Sequence, residues 1–288
     1  MTLRLGAPAL CAAACCAILG YTAMVHATGT GTGIVAVRRH SGRIDTIGVE
    51  YEAGALYVFQ NDGRYGEHGT QFTAGDVGQQ RNLFISRRWS LEVGFHGRHR
   101  LILLYAPFDL ETVVRLKDDL RFRDTTFDAG TRVVHRYLFD GYRASYLYRL
   151  LSRPELDGDL GGSIQIRNAE VSFAETSGNR YETENDIGVV FALKGRLLYR
   201  RNAGATWVLL EGDGFSTFGL LGDEVRGAIY DVRVSAGIPV TPYAELFAGA
   251  RLLGGGAEVE RRNIENWGNY GSLTLGVRFH VARTAGVE

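Results

Sequence analysis

Cysteine is nearly absent from this chain: Cys11, Cys15 and Cys16 are its only three, and all lie near the N-terminus. If that segment is removed, the mature chain has neither disulfides nor thiolate chemistry. Lysine is as scarce, with only Lys117 and Lys194, so arginine supplies almost all of the positive charge. The formal net charge is zero, and acids are interleaved with arginines. A nucleic-acid-binding surface is net positive and clustered, so we expect no nucleic-acid partner.

The chain also lacks a long hydrophobic run beyond residues 1–27, and those residues are expected to be removed. Arg4 is basic, residues 10–19 are apolar, and Val25-His26-Ala27 offers the small residues that a signal peptidase requires. The apolar part is shorter than the roughly 20 residues that a membrane-spanning helix needs. The sequence therefore predicts a cleaved signal peptide, an exported mature chain and a flexible leader over residues 28–42.

What the chain does have is a regular alternation of apolar and polar residues. In residues 141–149, Tyr142, Ala144, Tyr146 and Tyr148 fall on one face of a strand, opposite mostly polar neighbours. The pattern recurs almost to the C-terminus and predicts ten strands, with eight or twelve as alternatives. The predicted strands are 46–60, 82–96, 98–114, 133–151, 162–175, 186–200, 206–217, 225–240, 243–258 and 269–281.

The connections between these strands alternate between short and long along the chain. This is typical of an antiparallel barrel with short periplasmic turns and longer external loops. Only helices and closed barrels satisfy all backbone polar groups inside a bilayer. The prediction is therefore an all-β fold: a single, monomeric antiparallel transmembrane β-barrel over residues 43–281, in contact with outer-membrane lipid and followed by a tail over 282–288. Five aromatic residues are candidates for the interfacial girdles of such a barrel: Tyr137, Phe139, Tyr142, Trp267 and Tyr270.

The last predicted strand carries a recognisable pattern. Residues 270–279 (YGSLTLGVRF) alternate and end on Phe279, and they resemble the assembly signal of bacterial outer-membrane barrels, although nine residues follow Phe279 here. That resemblance implies the barrel-assembly machinery as a partner. Residues 99–110, 122–142 and 167–173 resemble an uncharacterised family of Gram-negative outer-membrane barrel proteins. The resemblance covers most of the mature chain and implies the fold and the outer-membrane location, but no activity.

The polar faces of the predicted strands collect ionisable residues that would point into the barrel. Because an unpaired buried charge is costly, we expect these residues to pair and to close the lumen. An open polar pore is the alternative, although small barrels have little free lumen. The predicted network consists of Glu92, Arg143, Arg149, Glu170, Arg196, Glu211, Asp213, Asp231, Arg233, Glu245, Arg251 and Arg278. Four apolar residues on the other faces should contact lipid: Val232, Val234, Leu246 and Ala248.

These features favour a structural or narrow channel-like function, with two alternatives. An outer-membrane enzyme acting on lipid or peptide would need His135 among external carboxylates such as Asp124, Asp128 and Asp140, or a polar pair facing lipid. We find no nucleophile motif and predict no catalytic residue, metal site or cofactor. A soluble periplasmic barrel of lipocalin type would instead bury its apolar face inside. Export, strand length and the charged residues on the less apolar face favour the membrane.

Overall fold

The computed structural model describes residues 44–201, 206–217 and 225–282. The predicted signal peptide, the leader and residues 283–288 of the tail lie outside the described residues. The two helices of the described part are single 3-10 turns, Gln79–Arg81 and Glu260–Arg262. None of the described helices has the length and apolarity that crossing a membrane requires.

Ten long strands of the described residues form a closed antiparallel barrel, as the alternation predicted. Each strand pairs with its neighbours along the chain, and the first closes on the last. A small two-stranded hairpin is inserted between two of these strands. The strands are β1 (Thr46–Tyr65), β2 (Phe84–Phe95), β3 (His99–Arg115), β4 (Leu120–Phe122), β5 (Thr125–Phe127), β6 (Arg132–Ser152), β7 (Leu156–Glu175), β8 (Tyr181–Arg200), β9 (Trp207–Ser216), β10 (Val225–Thr241), β11 (Ala244–Val259) and β12 (Ile264–Ala282).

The two ends of the barrel differ in their connections. At the terminal end, where β1 begins and β12 finishes, the connections are short: residues 96–98, 153–155 and 242–243. At the opposite end, the loop end, residues 66–83 and 116–131 form the two longest described connections. The tight β2–β3 turn follows from its sequence. In this three-residue turn His96 and Gly97 both have positive φ, 50° and 70°, a conformation that glycine adopts without steric cost.

The outer wall is apolar over most of its circumference. On β12, Leu273 and Leu275 are 73% and 70% exposed, while Ser272 and Thr274 between and beside them are buried. The residues predicted to face lipid, Val232, Val234, Leu246 and Ala248, are all exposed on the outer face. Arg233, Glu245 and Arg251 are buried inside. A lipocalin-type barrel would have the opposite arrangement, with its apolar face inside.

An aromatic row crosses the outer wall on four neighbouring strands. The register aligns Tyr51, Trp89, Tyr105 and Tyr142, and the rings pair at 4.2 Å for Tyr51 and Trp89 and at 4.9 Å for Tyr105 and Tyr142. Such a row is typical of the interfacial girdle of a membrane barrel. Of the five girdle candidates from the sequence, only Tyr142 and Trp267 lie on the outer face. The other three, Tyr137, Phe139 and Tyr270, point inward and pack in an apolar cluster.

Candidate functional site: the barrel interior

The interior contains two layers of opposite chemistry, stacked along the barrel axis. The inward residues of β1 show the change within one strand: Glu50 and Glu52 near the terminal end give way to Leu56 and Val58 toward the loop end. The first layer, which we call the charged layer, contains most of the residues predicted to form the network. The second, the apolar cap, consists of buried apolar residues from the strands and from the two long connections.

Eleven of the twelve residues predicted to form the network face the interior. They are Glu92, Arg143, Arg149, Arg196, Glu211, Asp213, Asp231, Arg233, Glu245, Arg251 and Arg278. Most are buried, and all form ion pairs with other inward residues.

The prediction was wrong for Glu170. Its register partners Leu138 and Asn185 lie on the outer face, and so does Glu170. In this part of β7 the apolar residues Val171 and Phe173 point inward into the apolar cap. The assumption that polar residues face the lumen therefore fails at the loop end, because the interior itself is apolar there.

The sequence analysis missed six further members of the charged layer. Two of them, Glu50 and Glu52, alternate with Val49, Tyr51 and Ala53 on β1, and this alternation could have revealed them. These six are Glu50, Glu52, Arg88, Arg100, Asp159 and Lys194. Nearer the terminal end, Arg200 pairs with Glu245 and Asp157 with Arg149.

Asp231 on β10 is the centre of the charged layer. Its carboxylate, 1% exposed, accepts hydrogen bonds from Arg88 at 2.8 Å, Arg143 at 3.1 Å and Arg251 at 2.5 Å. Since Arg88 is on β2 and Arg143 on β6, these bonds cross the lumen and join walls that are not adjacent. Glu52 has a similar role: Arg251 donates to it at 3.0 and 3.1 Å, and Arg233 at 3.1 Å.

Asp213 on β9 is the second point where several donors meet. Arg143 donates to it at 2.9 Å and Lys194 at 2.7 Å, and the Ser163 hydroxyl also donates to it. Ser145 lies 2.9 Å from Ser163 and extends the hydrogen-bonded chain. Arg143 thus links Asp213 and Asp231, so the two centres form one continuous network.

The terminal side of the charged layer is closed by a further chain of pairs. Arg196 donates to Glu92 at 2.6 Å, and Arg100 pairs with both Glu92 and Asp159. Arg149 reaches Asp159 at 3.2 Å. Nearer β12, Arg278 donates to Glu50 at 2.5 Å and lies 3.6 Å from Glu245.

Without Arg149, Arg200 and Asp157, which lie at its terminal edge, the charged layer is electrically balanced. Its eight cations are Arg88, Arg100, Arg143, Lys194, Arg196, Arg233, Arg251 and Arg278. Its eight anions are Glu50, Glu52, Glu92, Asp159, Glu211, Asp213, Asp231 and Glu245. Because every charge has an opposite partner, the layer avoids the large cost of unpaired ions in a confined space.

Two small cavities lie around these side chains. A cavity of about 30 Å³ lies within the charged layer, beside Arg143, Lys194 and Arg251. Another of about 40 Å³ lies between this layer and the apolar cap, beside Phe108 and Tyr270. A single water needs about 10–15 Å³ by this kind of measure. Each cavity therefore holds only a few water molecules.

The two long connections fold back into the barrel and supply seven of the seventeen buried residues of the apolar cap. Residues 66–83 enter through a backbone bridge between Gly63 and Phe72 and are fixed by a 2.7 Å bond from Thr112 to the Val77 carbonyl. The β4–β5 hairpin is anchored by the bond from Arg123 N to the Tyr65 carbonyl. These segments contribute Phe72, Ala74, Val77, Leu116, Leu120, Phe122 and Phe127 to the buried cluster.

His135 lies inside the apolar cap and is fully buried. Its ring stacks on Phe173 with centroids 4.5 Å apart and meets Phe72 edge-on at 5.6 Å. Asp128, by contrast, is exposed and pairs with Arg180. The structure therefore does not bring His135 together with the external carboxylates, as the enzyme alternative required. Within the described residues, no group of three or more His, Cys, Asp or Glu is arranged to hold a metal ion.

Ion pairs fasten the connections to one another above the apolar cap. Glu184 pairs with Arg123 at 2.9 Å and with Arg262 at 2.5 Å. The Arg180 guanidinium donates to Asp128 and holds the pKa of that carboxyl below its usual value. The described part of the loop end is therefore a folded surface rather than a set of independent loops.

No family model matches the chain, and no curated protein matches it. Among solved structures it is similar to the outer membrane protease OmpT from Escherichia coli, with a TM-score of 0.53, 11% identity, and coverage of 82% of this chain and 97% of that one. It is also similar to the attachment invasion locus protein Ail of Yersinia pestis, with a TM-score of 0.37, 8% identity, and coverage of 82% and 99%. For Neisserial surface protein A the TM-score is 0.33 and the identity 14%, with coverage of 81% and 96%.

These likenesses concern the fold. The chain is a ten-stranded antiparallel β-barrel of the bacterial outer-membrane type. Its apolar outer wall and aromatic row are those of a protein in a bacterial outer membrane. The predicted fold class, location and resemblance to Gram-negative outer-membrane barrels are confirmed.

Proposed function

We propose that the protein is a closed structural barrel of the outer membrane, with a lumen blocked at two levels. The observation that carries the proposal is the succession of a balanced charged layer and an apolar cap along one barrel axis. An ion crossing the charged layer would have to displace paired charges. At the apolar cap it would have to enter an apolar core. Both steps are costly.

The terminal end would face the periplasm and the loop end the cell exterior. Short connections are typical of the periplasmic side and longer ones of the external side. Both ends of the barrel sequence then lie on the side from which an exported chain arrives. Phe279, half-exposed on the outer face of β12, would be the contact of this strand with the barrel-assembly machinery. We propose that the folded barrel acts as a monomer.

Conductance in planar bilayers tests the closure. The unmodified protein should give no stable, large, ohmic conductance. Two variants each remove one block. Replacement of residues 67–82 and 117–130 by short glycine–serine turns takes out the two connections that fill the apolar cap. Glu52→Ala with Arg251→Ala opens the charged layer without changing its net charge. Because the blocks are in series, each variant alone should stay closed and the combined variant should conduct.

A large conductance from the unmodified protein would overturn the closed barrel and favour the narrow channel. Conductance after removal of the cap alone would show that the charged layer does not block ions. Heat-modifiable migration in detergent is the control that each variant still forms a barrel.

A further inference from the structure

An aromatic and basic cluster lies on the outer wall at the terminal end, and nothing in the closed-barrel function uses it. We call it the rim cluster: Phe95, Arg98, His99, Tyr146 and Tyr148. Phe95 and His99 flank the β2–β3 turn, and the register places His99 opposite Tyr148 on β6. His99 lies two residues before Leu101 and four before Leu103 on β3, so its side chain points to the same, outer face. The cluster therefore continues the apolar wall at its terminal margin.

The contacts within the rim cluster combine ring packing with exposed polar groups. The His99 ring stacks on Phe95 at 5.2 Å and meets Tyr148 edge-on at 5.2 Å. His99 Nδ1 lies 2.6 Å from the Tyr146 hydroxyl, and Arg98 donates to the Tyr148 hydroxyl at 3.3 Å. The ring faces suit acyl chains, and the hydroxyl, imidazole and guanidinium groups at their edge suit a polar headgroup.

Arg98 forms no ion pair with the described residues. The contact recorded for the Arg98 side chain is with a neutral phenol, and the carboxylate at this turn, Asp45, accepts a bond from Gly97 N. Arg153, in the β6–β7 turn at the same end, is also exposed and forms no ion pair with the described residues. Exposed arginines without an acidic partner, next to aromatic side chains at the edge of the apolar wall, are suited to bind the phosphate of a lipid headgroup.

We propose that the rim cluster binds the phosphate headgroup of an anionic phospholipid in the periplasmic leaflet. Arg98 would pair with the phosphate, Tyr148 and His99 would hydrogen-bond to it, and Phe95 and Tyr146 would hold the upper part of the acyl chains. The assignment to the periplasmic leaflet rests on the orientation proposed above, and the binding chemistry does not rest on the closure of the lumen.

Lipid retention by the full mature protein tests the proposal. The protein in nanodiscs of phosphatidylcholine is titrated with phosphatidylglycerol, and bound lipid is measured by native mass spectrometry. Phosphatidylglycerol should be retained in preference, and Arg98→Gln should weaken its binding about fivefold, as expected for the loss of one arginine near a lipid surface. Tyr148→Phe, which changes one hydroxyl, should also weaken binding. Arg81→Gln, a matched change of an exposed arginine at the loop end, should not.

Equal retention of the two lipids, or an equal loss in Arg81→Gln, would overturn the proposal. Displacement by millimolar inorganic phosphate would assign the site to a free anion and would overturn the lipid as ligand. The orientation is checked separately with Arg153→Cys, which should react with an impermeant thiol reagent only after the outer membrane is permeabilised. Labelling in intact cells would overturn the periplasmic assignment, whatever the conductance experiment shows.

Discussion

Replacing Asp231 by asparagine should lower the free energy of unfolding by about 3 kcal/mol, because it leaves three arginines around a neutral group. Arg88, Arg143 and Arg251 all donate to this carboxylate, which is 1% exposed. Asparagine preserves the size of the side chain but removes the negative charge and one acceptor. The balanced charged layer then holds one excess positive charge. Urea titration of the protein folded in phosphatidylcholine vesicles measures the loss.

Asp109→Asn is the matched control. Asp109 also pairs with an arginine, Arg136, but the pair is on the outer face and the Asp109 side chain is 46% exposed. An exposed pair contributes only about 0–1 kcal/mol, because water solvates both ions when the pair is broken. If the two asparagine variants lose the same stability, Asp231 is not held in a closed layer and water reaches the network freely.

Replacing Val234 by arginine should cost about 2–4 kcal/mol, which is the penalty for arginine on the lipid face of a barrel near the bilayer midplane. Val234 is 51% exposed on β10 and belongs to an outward apolar run from Val232 to Val240. Its register partners Leu210 and Ala250 are apolar as well. The same urea titration in vesicles measures the effect.

The control is the same substitution at another depth. Val240 is 49% exposed and lies near the terminal end of the same strand, where arginine should cost about 0–1 kcal/mol because it reaches the interface. Equal costs at the two positions would mean that the wall does not cross a bilayer, and would contradict the membrane assignment.

The two layers give the barrel different sources of stability. The charged layer joins opposite walls through directional bonds, such as those from β2 and β6 to Asp231 on β10. The apolar cap joins the loop end through ring packing, as in the contact of Phe122 with Phe173 at 5.0 Å. Buried ion pairs add specificity more than net stability, so we expect the charged layer to fix the arrangement of the walls and the cap to supply the larger hydrophobic contribution.

Strand number and the faces near the terminal end could be predicted because they depend on local pattern. Val232 and Arg233, for example, differ so strongly in polarity that alternation alone assigns one to lipid and the other to the interior. The same rule failed for Glu170 and for Tyr137 and Tyr270, since it assumes that the whole interior is polar. Which residues pair in the network could not be predicted either, because the pairs depend on the stagger of strands far apart in the chain.

The sequence by itself thus determined a cysteine-poor chain with ten strands, an apolar outer wall and charges inside, because period-two alternation is a property of neighbouring residues. Only the tertiary structure decided what fills the interior. The balance of the charged layer arises from strands on opposite sides of the barrel, and the apolar cap arises because two long connections return into the lumen. Burial of His135 and the outward position of Glu170 both follow from that cap, whose apolar residues lie far apart in the sequence and meet only when the barrel closes.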